Sequence, residues 1–322
     1  MIARYAIPFF FFMGLIVVPI VFALLCRWLQ PRKHWKIGAL ACTLILWALV
    51  FYGHFVTFQQ FEIHRFEFVS HDVPAAFDGY CIVHFSDAHV GSFEGSRQQM
   101  LIDAVDSINA LNPDVIVFTG DLENLSPDEL EQHKSVLGRL HARDGVFSIL
   151  GNHDYPTYLD VDEATKAAMV RQTIQAERQI GWKLLLNEHA VVRRDSDSIV
   201  IAGMENWGKI KRMPRKGDVK KTLATPSPLT TSPFVLMLQH DPTCWREKIL
   251  PECKAQLTLS GHTHGGQFKL FGWSPTSLTY DEWGGWYYED NRAIYVSTGL
   301  GGLIPFRLGL PGEIAVITLR KQ

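Results

Sequence analysis

Basic charge, paired cysteine and repetition are all in short supply in this 322-residue chain. Lys and Arg number 31 against 33 Asp and Glu, a formal charge of −2. That balance excludes the broad basic footprint by which proteins hold nucleic acid, so nucleic acid is not expected as a partner. Of the five cysteines, Cys26 and Cys42 fall in the apolar N-terminal stretch. Cys81, Cys244 and Cys253 remain, an odd number without metal-ligand spacing, which excludes a disulfide framework and leaves a Cys244 to Cys253 bridge open but unsupported. No internal repeat or low-complexity tract is present. With 47% hydrophobic and 20% charged residues, the chain has material for one sizeable globular domain of about 250 residues beyond its first sixty.

Those first sixty are different. Ala6 to Cys26 is an uncharged apolar stretch of roughly 20 residues, the length that crosses a bilayer, and Ile37 to Phe58 is a second, broken only by His54. The reading is a two-helix transmembrane hairpin, helices at about 6–26 and 37–58, forming an anchor over 1–60 ahead of a domain at 61–322. Arg27, Arg32, Lys33 and Lys36 lie between the two stretches. By the positive-inside rule that loop is cytoplasmic, which places the domain outside the cytoplasm of a multi-pass inner-membrane protein. A cleaved signal peptide fits less well, because no small-residue cleavage site closes the first stretch. Trp28, Trp35, Tyr52 and Phe58 near the helix ends suit an interfacial belt.

Beyond residue 70, short runs rich in Val, Ile, Leu and Phe read as buried strands: Tyr80 to Phe85, Asp114 to Phe118, Val146 to Leu150, Phe234 to Leu238 and Gln256 to Leu259. Each is followed by a polar block: Asp87-Ala88-His89, Gly120-Asp121, Gly151-Asn152-His153-Asp154, His240, and Gly261-His262-Thr263-His264. In open α/β sheets the ligand crevice lies beyond the carboxyl ends of the strands, so these distant blocks are expected to converge. A helix is expected over Gln98 to Leu111, with Leu101, Val105, Ile108 and Leu111 on one face. Ser126-Pro127-Asp128-Glu129 has the form of a capping box, and Asp160 with Glu163 repeats it before a helix running to about Gly181. Strands dominate after residue 180.

The blocks D-x-H, G-D, G-N-H-D, H and G-H-T-H, in this order, resemble the calcineurin-like metallophosphoesterase superfamily. Gly261 to Gln267, Ser297-Thr298-Gly299-Leu300-Gly301 and Arg307 before Pro311-Gly312-Glu313-Ile314 resemble its membrane-anchored bacterial phosphodiesterase branch. The likeness runs from about residue 70 to the C-terminus. It implies a four-layer α/β/β/α sandwich and two divalent metal ions. One ion would be held by Asp87, His89, Asp121 and His264, the other by Asp121, Asn152, His240 and His262. Carboxylate, imidazole and amide ligands without thiolate suit Mn, Fe or Zn. Two such ions activate a bridging hydroxide and clamp a phosphoryl group for in-line attack. His153 is then the candidate to protonate the leaving oxygen, with Asp154 holding its ring.

Single residues carry plainer readings. A lone aspartate after a strand is commonly a cap or turn residue; a complete ordered set is not explained that way. His84 alternates away from Asp87 and reads as a packed core histidine, while His71, His133, His141 and His189 read as solvated. Asp241 either turns the chain before Pro242 or orients a ligand. The family often carries acidic residues after the strand ending Ala202-Gly203, where this chain has Met204-Glu205-Asn206-Trp207. Glu205 and Asn206, with Gly265 and Gly266, are therefore candidate substrate-binding residues, although turn geometry explains the glycines equally well. The aromatics from Phe271 to Tyr288 read as a pocket wall or as ordinary hairpin packing. The basic loop Lys209 to Lys221 reads as a solvated excursion, or as a contact for anionic headgroups.

Phosphodiester cleavage is the leading expectation, on a substrate that is lipid-linked in one version. The rivals are pyrophosphate cleavage in a nucleotide-linked lipid precursor, as in UDP-diacylglucosamine hydrolases, and a non-catalytic, membrane-tethered metal-binding sensor or scaffold.

Overall fold

The computed structural model describes residues 2–29, 35–224 and 233–322. Two six-stranded sheets form the domain. The first has the order β1 (Phe61–Ser70), β12 (Gly312–Lys321), β2 (Cys81–Phe85), β3 (Val115–Phe118), β4 (Val146–Ser148) and β5 (Lys183–Leu184). The second runs β10 (Gly285–Glu289), β11 (Arg292–Val296), β9 (Leu257–Ser260), β8 (Phe234–Leu238), β7 (Asp197–Gly203) and β6 (Glu188–Arg194).

The central strands carry no polar alternation because both their faces are covered. Ile82, Val115 and Val117 point towards the other sheet and pack with Ile201, Leu236, Leu238 and Leu259. Their neighbours Val83, Phe85, Ile116 and Phe118 point the opposite way, onto Leu101, Ala104, Val105 and Ile108 of helix α3 (Gln98–Ala110). On the far face of the second sheet, Val200, Met237 and Ile294 pack against Cys244, Trp245 and Ile249. Truncating a fully buried residue such as Leu101 to alanine would cost about 2–5 kcal/mol.

Pairing is parallel from β2 through β5 and from β7 through β9 to β11. Carboxyl ends therefore collect along one edge of each sheet, and the polar blocks leave from there. Antiparallel pairs occur at β12 with β2, β10 with β11 and β6 with β7.

Local capping differs from expectation in two places. Ser126 makes no side-chain cap, and Pro127–Leu130 closes as a single 3₁₀ turn before the short helix α4 (Lys134–Leu137). Helix α5 (Glu163–Gln179) is capped by Asp162, which accepts from the Thr165 N–H at 2.9 Å, rather than by Asp160. The Asp162 carboxylate is the one whose spacing reaches a third-position amide. All five cysteines are free. His133, expected in solvent, is buried, because the 3₁₀ turn before it packs against the segment around Val90 and Glu94.

At the N-terminus, helices α1 (Ile2–Leu29) and α2 (Trp35–Phe55) precede the domain. One segment among the described residues, Trp35–Gln59, is long and apolar enough to cross a membrane, and Met13–Trp28 of α1 is a further apolar stretch. Arg32 and Lys33, which contribute to the expected orientation, lie outside the described residues. Several apolar side chains of α2, Ile37, Leu40, Leu44 and Phe51 among them, are exposed over more than half their surface. Its last turn meets the domain: the Gly53 carbonyl accepts from the Arg307 N–H at 3.1 Å, and the His54 ring bonds the Pro305 carbonyl.

Candidate functional site

Asp87 and His89 leave β2, Asp121 follows β3, Asn152 and His153 follow β4, His240 follows β8, and His262 and His264 follow β9. The fold brings these ends together. Ligand atoms of Asp87, His89, Asp121 and His264 all lie within 4.8 Å of one another, and so do those of Asp121, His240 and His262. Asp121 belongs to both groups. Asn152 joins the second, its Oδ1 lying 3.1 Å from His240 Nε2.

Strain is concentrated here. Asp87 (φ 51°), His89 (45°), Asp121 (60°), His262 (74°) and His264 (52°) all take left-handed backbone conformations. Each costs about 1–3 kcal/mol in a residue with a Cβ, a cost that functional sites tolerate when the surroundings hold it. Two glycines make the close packing possible. A Cβ at Gly151 would lie 2.2 Å from Asp121 Oδ1, and one at Gly261 would lie 2.2 Å from Asp87 Oδ2.

The donor chemistry fits cations. His89 Nε2 and His264 Nε2 face each other at 3.1 Å, with Asp87 Oδ1 3.3 Å from the latter. The Nδ1 atoms of His89, His262 and His264 are buried without a hydrogen-bond partner. Burial lowers the pKa of all three imidazoles, that of His89 to about 3, which keeps them neutral as metal ligands must be. His240 shows the converse: against the lowering effect of burial, Asp121 and Asp87 hold it up at about 10. The buried carboxylates thus attract positive charge to this point.

His153 lies on the wall of a cavity of about 320 Å³ that also exposes Asp121, Asn152, His262 and His264. Its Nδ1 bonds the Asn124 carbonyl at 2.6 Å, which directs Nε2 as the free nitrogen. Asp154 does not hold that ring. Its Oδ2 accepts from the backbone N–H of Asp121 (2.8 Å) and Gly151 (2.7 Å), and its Oδ1 from Leu122 (2.9 Å) and Glu123 (3.2 Å). The carboxylate is turned into the backbone, where it satisfies four amides at the ends of β3 and β4.

Other expectations shift as well. Glu205 accepts from Tyr155 Oη (3.0 Å) and Asn187 Nδ2 (2.7 Å), and Asn206 bonds the Pro214 carbonyl. Both brace the loop after β7 and neither lines the cavity. Gly265 and Gly266 form a left-handed turn, with Leu310 and Thr276 where Cβ atoms would be. Asp241 Oδ2 is 3.6 Å from His262 Nε2 while its Oδ1 caps Thr243. His84 is a buried core residue bonded to Thr119 Oγ1 at 2.8 Å.

The cavity also contains residues that motif reading missed. Tyr158 stacks on His153 with ring centroids 4.6 Å apart, and its Oη accepts from Asn152 Nδ2 at 2.9 Å. Tyr280 Oη meets His262 Nε2 at 2.9 Å. Arg212 brings a guanidinium to the rim from the basic loop. Tyr158 follows the G-N-H-D block closely in sequence, which is the one local signal it offers. Behind Asp154, Glu123 and Glu177 are fully buried; burial, then Asp154, raises both pKa values well above the ordinary carboxyl range.

The family model for calcineurin-like phosphoesterase matches residues 81–266, more than half of the chain and every block described above. The chain belongs to the calcineurin-like phosphoesterases. This is a family of divalent-metal phosphoester hydrolases. Similar proteins include the Bacillus subtilis "Uncharacterized metallophosphoesterase YkuE", 32% identical, over 88% of this chain and 94% of that protein. The zebrafish (Danio rerio) "Transmembrane protein with metallophosphoesterase domain" is 30% identical over 86% of this chain, and the aligned part is 62% of its own length. "UDP-2,3-diacylglucosamine pyrophosphatase LpxG" of Chlamydia trachomatis is 28% identical, over 74% of this chain and 83% of that protein. In this phosphoesterase the aligned region extends beyond the family-model match.

Proposed function

We propose that this protein is a membrane-anchored, binuclear metal-dependent phosphodiesterase, with an anchor over residues 1–60, two spans at about 6–26 and 37–58, and a catalytic domain over 61–322 outside the cytoplasm. The observation that carries the chemistry is the pair of ligand groups sharing Asp121. Asp87, His89, Asp121 and His264 would hold one divalent cation and Asp121, Asn152, His240 and His262 a second. Bound there, such ions supply positive charge to phosphoryl oxygens and lower the pKa of water. The chain's own groups do the rest. Arg212 binds phosphoryl oxygens from the rim, as a guanidinium suits them. His153, with Nδ1–H fixed on Asn124, in its imidazolium form passes the second proton, held on Nε2, to the ester oxygen that leaves phosphorus and returns to the neutral ring. Tyr158 holds both the His153 ring and the Asn152 amide in position.

The likeness to a UDP-diacylglucosamine pyrophosphatase supports a second reading, cleavage of a pyrophosphate in a nucleotide-linked lipid precursor. One assay separates them. The detergent-solubilised full chain is given bis-p-nitrophenyl phosphate, p-nitrophenyl phosphate or a UDP-linked diacylated sugar with Mn²⁺, then with chelator, beside Asn152→Ala and His153→Ala. Metal-dependent diester cleavage, lost in both variants, supports the phosphodiesterase. Turnover confined to nucleotide-linked pyrophosphates supports the second reading. Two bound ions without turnover of either substrate class would leave a non-catalytic metal-binding protein.

A further inference from the structure

Phe271 is 99% exposed and Leu278 79% exposed, and Leu270 and Trp273 are each about half exposed. A bulky aromatic at full exposure is unusual, and this one also sits at φ 50°, beside Gly272 at φ 82°. The tip is a tight reverse turn, closed by the reciprocal Leu270 and Trp273 backbone bonds at 2.9 and 3.0 Å. Among the described residues no packing repays the strain of holding Phe271 outward.

The base of this hairpin is tied to the end of α2. Lys269 N–H donates to the Leu308 carbonyl and Leu308 N–H to the Gln267 carbonyl, both at 2.9 Å. Gln267 Nε2 donates to the carbonyls of Ile304 (2.8 Å) and Phe306 (2.7 Å). Segment 304–307 in turn meets α2 through Pro305 with His54 and Arg307 with Gly53. The apolar tip is thus fastened, through one layer of backbone, to the end of the segment that has the length and composition of a membrane span.

The continuations of these two segments line part of the cavity. Thr276 and Tyr280 line it from one and Leu303 from the other, while Leu278 points outward between Thr276 and Tyr280. One stretch of chain therefore has a catalytic side and an apolar outer side.

We infer that the 270–278 segment enters the interface of the same lipid bilayer that α2 spans, with Phe271, Trp273 and Leu278 among the acyl chains, so that the cavity opens at the membrane surface and receives phosphoesters carried by bilayer lipids. Apolar and aromatic side chains at an interface, rimmed by a basic residue such as Lys269, have the composition this location selects. The inference rests on reading 35–59 as an anchor, and its consequence for substrate rests on the phosphoesterase reading; the membrane contact is testable without turnover.

The full chain, with its five cysteines replaced by alanine, is reconstituted in vesicles of phosphatidylcholine and phosphatidylglycerol. A nitroxide is attached in turn at F271C, L278C, L44C on α2 and E163C, whose carboxylate is exposed. Collision rates with oxygen, which concentrates in lipid, and with a water-soluble nickel chelate are then compared. The expected oxygen-to-nickel ratio at F271C and L278C is several-fold that at E163C and close to that at L44C. A ratio like that of E163C at either position, with L44C in lipid, overturns the inference and leaves the anchor intact. A water-like ratio at L44C overturns both. If the cysteine-free chain does not fold, the native chain and Trp273→Phe are compared in vesicles of tail-brominated phosphatidylcholine. A loss of quenchable fluorescence in the variant supports lipid contact, and an unchanged quenchable fraction overturns it.

Discussion

Replacing Asp154 with asparagine separates a backbone clamp from a catalytic orienting group. The carboxylate presents two oxygens, each accepting two buried N–H groups at 2.7–3.2 Å. Asparagine is isosteric but has an acceptor on one side only. Whichever way it is turned, two amides lose their acceptor and face an NH₂ donor. A hydrogen bond to a charged group contributes about 1.5–3 kcal/mol, and an unsatisfied buried donor carries its own desolvation cost of similar size, so the substitution should cost about 3–6 kcal/mol. For a domain of this size, where 1 kcal/mol moves Tm by about 2–4 °C, that lowers Tm by about 6–24 °C. The clamp ties the residues that present Asp121 to those that present Asn152, so metal affinity should fall with stability. The measurement is thermal unfolding of the detergent-solubilised chain, with Mn²⁺ titration of each variant. His153→Ala is the contrast: its ring lies on the cavity wall, so Tm should stay within about 2 °C of wild type while turnover is lost. A wild-type Tm and metal affinity in Asp154→Asn, with a defect only in the His153-dependent step, would refute the clamp.

Three further expectations follow from the same geometry. Glu177 is buried with its pKa raised well above the ordinary 4.5, by burial first and then by Asp154. A raised carboxyl stabilises most below pH 4.5 and loses stability as pH rises, because the unfolded chain releases the proton first; Glu177→Gln should therefore flatten the decline of Tm above pH 4.5, and an unchanged slope would count against a neutral Glu177. Arg212→Ala should raise KM for bis-p-nitrophenyl phosphate about tenfold with little change in kcat, since about 1.4 kcal/mol of phosphate binding is lost; an unchanged KM would remove Arg212 from the site. Stripping metal with chelator should lower Tm, and excess Mn²⁺ at about 100 times its Kd should return about 2.7 kcal/mol; equal Tm values with and without metal would argue against binding at these residues.

Much of the core was legible because its cause is local. Val115 to Phe118 must be a doubly covered strand wherever it lies, since four consecutive apolar residues leave no polar face. Helix α3 follows from the spacing of Leu101, Val105 and Ile108. The caps were less legible: Asp160 and Asp162 are both plausible on type, and only the backbone path selects Asp162.

The sequence by itself determined which ligand-type residues collect at the carboxyl ends of the strands, because each follows a strand whose composition already sets its place at a sheet edge. What those residues touch was decided by the tertiary structure. Asp154 faces four amides contributed by two separate strand ends, which no spacing rule encodes. Glu205 faces Tyr155 and Asn187 instead of the cavity because the closed fold sets those partners, 50 and 18 residues away, within hydrogen-bond distance of it. Arg212 came to the cavity from a loop whose composition suited either a solvated excursion or a contact for anionic headgroups. The link from α2 through 304–307 to the exposed hairpin joins segments some 250 residues apart. Local propensity acts over a few residues of chain, whereas these contacts depend on distances set only when both sheets have closed on their common core.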